Sequence, residues 1–296
     1  MKVVITGSEG MVGGRLQKAI EARGFELLCT DFDLAEPEYP DLELTQEYIV
    51  IHFSAEESSD PSALSKNNVL ATDNVAINLC QSEFCKGLIY LSSISVFGIQ
   101  DEAITEESEK KPDNFYGFSK LICENLIQAK LKSKTTVIIR PTNIIAPNTS
   151  TLIGQIVNSI LTGETFEAWE SSLVTKRDYV WIDDVVDGVV RLTEMIHADS
   201  LSGSNEVNFC MGKSYSLKEI IDTTEKITGK KLRLIVTDSK AFRGRDLNVD
   251  TIKEKALFGR SLSKTSLEDS INVLHKSIFR DPDKEAKSTN WGSGDR

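Results

Sequence analysis

Tyr116 and Lys120 stand four residues apart at the head of an apolar-periodic stretch that predicts a helix over 115–131. That spacing puts both side chains on one helical face. A free tyrosine, with a pKa of about 10, is a weak base at neutral pH, and a neighbouring ammonium favours the phenolate and lowers that value. The pair is a candidate general acid or base. The serines at the end of the preceding apolar run, Ser92, Ser93 and Ser95, offer hydroxyls to bind the reacting oxygen.

A second group of residues supplies a reaction partner. Gly7, Gly10 and Gly13 recur every third residue, between the β-branched run Val3–Thr6 and a helical pattern that begins at Met11. Glycines let a backbone approach a pyrophosphate closely, and a helix N-terminus offers it unpaired N–H donors. Gly7, Gly10, Met11, Val12 and Gly13 therefore read as the cradle of a nicotinamide dinucleotide. The run Phe25–Thr30 ends at Asp31, about 20 residues beyond the glycines, where folds of this kind hydrogen-bond the adenosine ribose. No Lys or Arg lies between Arg23 and Lys66, so a 2′-phosphate would meet Asp31, Asp33 and Glu36 without a local cation. NAD is expected over NADP.

The elements that must hold these groups follow from the alternation of patterns. Apolar runs at 48–53, 87–92 and 135–139 read as strands, and the stretches around 63–80 and 115–131 as helices. Strand and helix in alternation imply an α/β fold with a doubly wound parallel sheet. Ser216 with Glu219, and Thr265 with Glu268, have the spacing of capping boxes. The chain has 296 residues, a formal net charge of -11 and a sequence pI of about 5.0. Such a balance disfavours nucleic acid and acidic membranes as partners. Five cysteines without a C-x-x-C pair suggest reduced thiols in a cytoplasmic protein, and three scattered histidines argue against a metal site. No apolar stretch is long enough for a membrane span, and Met1 leads straight into a strand without a signal peptide.

Taken in order, these motifs resemble the extended branch of the short-chain dehydrogenase/reductase superfamily, the NAD-dependent epimerases and dehydratases of nucleotide sugars. Val50–Ala55 is similar to that branch's fourth-strand signature, Asn68 with Val69 to its helix-borne asparagine, and Arg140–Asn143, Arg177–Tyr179 and Asp183–Val185 to its later hallmarks. The resemblance implies a Rossmann-type sheet with a smaller, interleaved C-terminal substrate-binding α/β domain. It makes Tyr116 the proton shuttle, Lys120 its electrostatic partner and a ribose ligand, and Ser93 the hydroxyl on the sugar oxygen, three residues before Val96. It places Phe53, Ser54, Ala55, Asn68, Ser92 and Pro141 about the cofactor. Asn143, Arg177 and Arg243, or Arg245 in its place, become contacts to a nucleotide-diphosphate sugar, with arginine forks suited to its phosphates. A homodimer through the helices of 63–80 and 115–131 is implied as well.

The domains expected are 1–145 with about 178–205 for NAD, about 146–177 with 206–280 for substrate, and a fraying tail over 281–296. Ile51 follows Asp31 by only 20 residues, too few for the strand, helix and loop usual there. Ser93-Ile-Ser95 carries no acid, which disfavours a dehydratase. An epimerase working through a transient keto sugar is the first reading. A nucleotide-sugar 4-ketoreductase using NADH or NADPH, and a non-catalytic NAD sensor or scaffold, are the alternatives.

Overall fold

The computed structural model describes residues 1–147, 151–238 and 246–279. The chain divides into two compact units: Met1–Ile144 with Lys176–Ser214 and Arg245–Lys264, and Ile145–Thr175 with Tyr215–Gly244 and Thr265–Arg296.

In the first unit, β1 (Lys2–Thr6), β2 (Glu26–Cys29), β3 (Tyr48–His52), β4 (Cys85–Leu91), β5 (Thr135–Pro141) and the strand Ser204–Phe209 form one sheet. Its order is β2-β1-β3-β4-β5 followed by Ser204–Phe209, and every pairing is parallel. Helices cover such a sheet on both faces, so its strands are apolar almost throughout; all five residues of β3 are buried. The chain leaves β1 for the edge strand β2 and returns across β1 to β3. Ligands of open parallel sheets bind where the order reverses, beyond the carboxyl ends of the strands.

The shortened segment is visible directly. Residues 30–47 contain no helix or strand. Phe32, Tyr39, Leu42 and Leu44 pack instead on the core around Val50 and Val75, and Asn74 Nδ2 donates to the Leu34 and Glu36 carbonyls at 3.2 and 2.9 Å. This leaves β2 as the sheet's edge.

The helix expected over 63–80 is three pieces: Pro61–Leu64, a π-helical turn over Ser65–Leu70, and Ala71–Asn78. Single π turns insert one residue into a helix and recur at functional sites. The helix Phe115–Lys130 starts where Asn114 Oδ1 accepts the Gly117 N–H at 2.8 Å. Leu70, Ile77, Phe118 and Ile122 stand exposed on these elements, while Val69 and Leu121 pack inward.

Residues 206–214 and 246–264 fall in the first unit, not with the substrate domain as the sequence division has it. Ser204–Phe209 completes the sheet beside β5, and Ile104 holds residues 248–250 through bonds of 2.8 Å to the Asn248 carbonyl and 2.9 Å from the Asp250 N–H. In the second unit the helices Leu152–Thr162, Leu217–Thr228 and Leu267–Phe279 pack together, and Thr165–Trp169 pairs in parallel with Arg233–Thr237. Ser216 and Glu219 form the expected capping box. The last helix is capped one residue later than Thr265 and Glu268 suggest. Ser266 Oγ accepts the Asp269 N–H at 3.0 Å and donates to Asp269 Oδ2 at 2.7 Å, because the first helical residue is Leu267. Residues 281–296 lie outside the described residues. Among those described, no helix is long and apolar enough to cross a membrane, and no group of three or more His, Cys, Asp or Glu could hold a metal ion.

Candidate active site

β1 ends at Thr6, and the chain turns at Gly7 with φ +71°, a conformation that favours glycine. The turn is pressed against the exit of β3. A Cβ built on Gly7 would lie 2.4 Å from Ser54 N and 2.7 Å from Phe53 C, and one on Gly13 would lie 2.2 Å from the Gly7 oxygen. The helix Gly13–Glu21 follows with Val12 at its N-cap and no side-chain hydrogen bond there; the Gly14 N–H donates to the Gly10 carbonyl at 2.9 Å and the Arg15 N–H to the Val12 carbonyl at 3.2 Å, so an anion would be met by the N–H groups ahead of Gly14. Met11 is exposed and Val12 buried.

Beside this turn lies an open cleft of about 250 Å³, lined by Gly7, Ser8, Glu9, Thr30, Phe32, Asp33, Leu34, Ser54, Asn67 and Ala71. Its carboxylates are Glu9 and Asp33, and Asp31 is exposed outside the lining. Asp33 accepts the Ala35 N–H at 2.9 Å and pairs with Lys66 at 2.9 Å, which together hold its carboxyl below the usual range. The cation lacking between Arg23 and Lys66 in sequence is thus brought in by the π turn.

That turn also aims Asn68. Its Oδ1 accepts the Glu56 N–H at 2.7 Å, and its Nδ2 donates to the Glu56 carbonyl at 3.0 Å and to Ser119 Oγ at 2.9 Å. The segment after Phe53, Ser54 and Ala55 is thereby tied to the helix of Tyr116, since Ser119 Oγ in turn donates to the Tyr116 carbonyl at 2.8 Å.

Tyr116, Lys120 and Ser93 are brought together. Gly117 lets the helix N-terminus close on the serine turn, for a Cβ there would lie 2.5 Å from the Ser95 oxygen. Ser93 caps the short helix Ile94–Phe97, accepting the Ser95 N–H at 3.2 Å, and its hydroxyl donates to Ser95 Oγ at 3.1 Å. Lys120 is buried and donates from Nζ to the Leu91 carbonyl at 2.8 Å, with Nζ 5.8 Å from the Tyr116 ring centre. Burial pushes the Lys120 ammonium down to about 8.

The expected lowering of the Tyr116 pKa is corrected here. Burial and then the Glu57 carboxylate push the phenol up, and its bond with Ser93 offsets only part of this. Glu57 is exposed on the segment after β3, and nothing in the sequence pattern marked it. His52, fully buried, bonds Thr6 Oγ1 at 2.6 Å and Thr72 Oγ1 at 3.0 Å, and burial pushes it down to about 3. It stays neutral and serves packing.

Ser92, the residue after β4, and Pro141, the last residue of β5, are buried. Asn143 Nδ2 donates to the Asp178 carbonyl at 3.0 Å, so it stands against the strand Lys176–Trp181 next to Arg177. Arg177 donates to the Lys176 carbonyl at 3.1 Å; burial lowers the pKa of its guanidinium, and the charges of Tyr179, Asp246 and Asp113 work against that. Arg243 and Arg245 lie outside the described residues.

The model of the NAD dependent epimerase/dehydratase family matches residues 3–204. The chain belongs to the NAD-dependent epimerase/dehydratase family. Among curated relatives it is 24% identical over 249 residues to a GDP-6-deoxy-D-talose 4-dehydrogenase of Aggregatibacter actinomycetemcomitans, covering 79% of this chain and 82% of that protein. It is 26% identical over 216 residues to UDP-glucose 4-epimerase 2 of Oryza sativa subsp. japonica, covering 63% of this chain but only 52% of the relative. Of solved structures, MoeE5 in complex with UDP-glucose and NAD superposes with a TM-score of 0.81 at 22% identity, covering 95% of this chain and 99% of that one. A likeness at that identity establishes the shared fold.

Proposed function

We propose that this member of the family is a nucleotide-sugar epimerase that uses NAD and passes through a transient keto sugar. The observation that carries the reading is the Ser93–Tyr116–Lys120 cluster at the carboxyl end of a parallel sheet whose glycine turn no Cβ could enter. The residues present fit a dinucleotide. Gly7, Gly10, Met11, Val12 and Gly13 would hold its pyrophosphate at a helix end, Thr30, Phe32, Asp31 and Asp33 its adenosine, and Phe53, Ser54, Ala55, Ser92 and Pro141 its remaining length.

When bound, NAD supplies the hydride acceptor and a positive charge that favours the Tyr116 phenolate. Tyr116 takes the hydroxyl proton from the sugar and later returns it. Ser93 holds the same sugar oxygen, and Ser95 keeps the Ser93 hydroxyl directed. Lys120, fixed on the Leu91 carbonyl, opposes the pull of burial on the phenolate and binds a ribose hydroxyl. Asn143 and Arg177 contact the nucleotide diphosphate. The five cysteines are free, as suits a cytoplasmic enzyme. The exposed Leu70, Ile77, Phe118 and Ile122 support a homodimer through these helices.

A second reading, a nucleotide-sugar 4-dehydrogenase or 4-ketoreductase that exchanges its cofactor, is favoured by one observation. The shortened 30–47 segment leaves an open adenosine cleft. The GDP-6-deoxy-D-talose 4-dehydrogenase named above agrees with this reading by its name. Absorbance and mass analysis of nucleotide released from freshly purified, denatured protein tests the choice. Stoichiometric NAD, with interconversion of UDP-, GDP- or dTDP-sugars without added cofactor, supports the epimerase. An empty site with turnover of keto sugars only on added NADH or NADPH overturns it.

A further inference from the structure

The helix of Tyr116 and Lys120 presents a third polar side chain at the same spacing. Glu124 is fully buried, and its carboxylate takes four hydrogen bonds: from Ser92 Oγ at 2.6 Å, Arg140 Nε at 2.7 Å, Arg140 Nη2 at 2.9 Å and Lys110 Nζ at 3.0 Å. Arg140 is equally buried, reaches Glu206 at 2.5 Å and lies 5.0 Å over the Phe97 ring. Three members of this cluster adjoin residues used in the proposed reaction. Ser92 precedes Ser93, Phe97 belongs to the short helix that Ser93 caps, and Arg140 precedes Pro141. The end of β4 is therefore held at two successive residues by one helix face, Leu91 by Lys120 and Ser92 by Glu124.

Stability alone is a poor reason for this arrangement. A buried ion pair is often no better than apolar packing of the same volume, because desolvation consumes the attraction. Here the satisfaction is also incomplete. Arg140 Nη1 has no hydrogen-bond partner, and neither side-chain atom of Asn208, the register neighbour of Arg140 on the next strand, has one. What the cluster does provide is direction, since bidentate geometry fixes both strand ends against the helix.

We propose that Glu124, braced by Arg140, is a positioning residue: by holding Ser92 it sets where the Ser93 hydroxyl stands against Tyr116 and, at the adjoining Leu91 carbonyl, how Lys120 Nζ is seated. The role at Ser93 rests on the proposed function; the role at Lys120 does not. Lys120 faces His52 of β3, Tyr90 of β4 and Glu57 of the segment after β3, with Tyr116, Cys123 and Glu124 on its own helix. Glu57 and Glu124 are the carboxylates in that set, and both favour the ammonium.

Glu124→Gln keeps the shape and the acceptor for Ser92 and removes the charge. The Lys120 signal of protein carrying ε-13C-lysine, assigned by its loss in Lys120→Met, is titrated in both proteins. The expected result is a midpoint lowered by roughly half a pH unit or more in Glu124→Gln. With an active sugar, kcat falls about tenfold while KM and NAD affinity change less than about threefold. An unmoved Lys120 midpoint overturns the proposal, as does a kcat, KM and NAD affinity that decline together with the thermal midpoint. Should Glu124→Gln fail to fold, Ser92→Ala removes the hydroxyl that Glu124 holds and, because Ser92 is also placed about the cofactor, is assayed at saturating NAD; a selective loss in kcat is expected, and wild-type kcat overturns the proposal. If no sugar is turned over by the wild type, the proposed function fails while the Lys120 titration still decides.

Discussion

Replacing Gly7 with alanine, and Gly24 with alanine as its control, separates two costs that a single substitution confounds. Both glycines have positive φ, +71° and +80°, so both variants incur the left-handed strain of an L-residue, about 1 kcal/mol. Around Gly24 nothing lies within 4 Å of the added carbon, whereas at Gly7 it lands 2.4 Å from Ser54 N. Relief requires the exit of β3 to move by about an ångström, which disturbs the Phe53 N–H to Thr6 carbonyl bond of 3.1 Å and the Ser54 N–H to Thr6 Oγ1 contact of 3.4 Å. Overpacking of that kind costs about 1–3 kcal/mol. The expected totals are about 3 kcal/mol for Gly7→Ala against about 1 kcal/mol for Gly24→Ala, or roughly 6–12 °C against 2–4 °C in melting temperature. Thermal unfolding with and without NAD measures both, and isothermal titration gives the affinity. Gly7→Ala is expected to lose most NAD binding and Gly24→Ala to keep it. Equal melting points with equal NAD affinities would refute the claim that the turn and β3 touch as closely as the geometry states.

Tyr116→Phe is expected to cost about 10²- to 10⁴-fold in turnover while NAD remains bound, checked by the nucleotide released on denaturation; retained turnover would remove Tyr116 from the chemistry. The neutral, buried His52 predicts an acid sensitivity. The unfolded chain protonates near pH 6.5 while the folded one refuses the proton down to about pH 3, so stability falls with pH across that window. Denaturant midpoints should show His52→Gln losing about 2 kcal/mol less than wild type between pH 7 and 5, and parallel profiles would contradict the assignment. Phe118→Glu with Ile122→Glu is expected to yield a well-folded monomer by sedimentation; an unaltered mass would place any self-association elsewhere.

The sheet and the Tyr-Lys helix were legible because their signals are local. A β-branched run before glycines, and a four-residue spacing on a periodic helix, survive without knowledge of the fold. Glu124 was equally legible, being one further step of four along 116 and 120, but its meaning lies in Ser92 and Arg140, 32 and 16 residues away in sequence. The Tyr116 pKa was misjudged for the same reason. Spacing announced the ammonium, but neither the burial of the phenol nor the approach of Glu57 leaves a trace along the helix. Lys66 illustrates the point from the other side, for a π turn carries it to Asp33 across 33 residues. The Thr265–Glu268 cap failed by one residue because Ser266 and Asp269 offer the same spacing.

The π turn over Ser65–Leu70 also acts as a phase marker. Such a turn absorbs one inserted residue without changing the phase of its flanks, so a further insertion, which it could not absorb, would turn everything beyond by about 100° relative to what precedes. Either Asn68 would swing away from Glu56 and Ser119, or Val75 and Ala76 would leave the core. The segment therefore fixes its own length. Side chains there can be exchanged one at a time, but a further insertion cannot pass unnoticed, and related chains should carry no larger a residue count between Phe53 and Val75 even where the letters change.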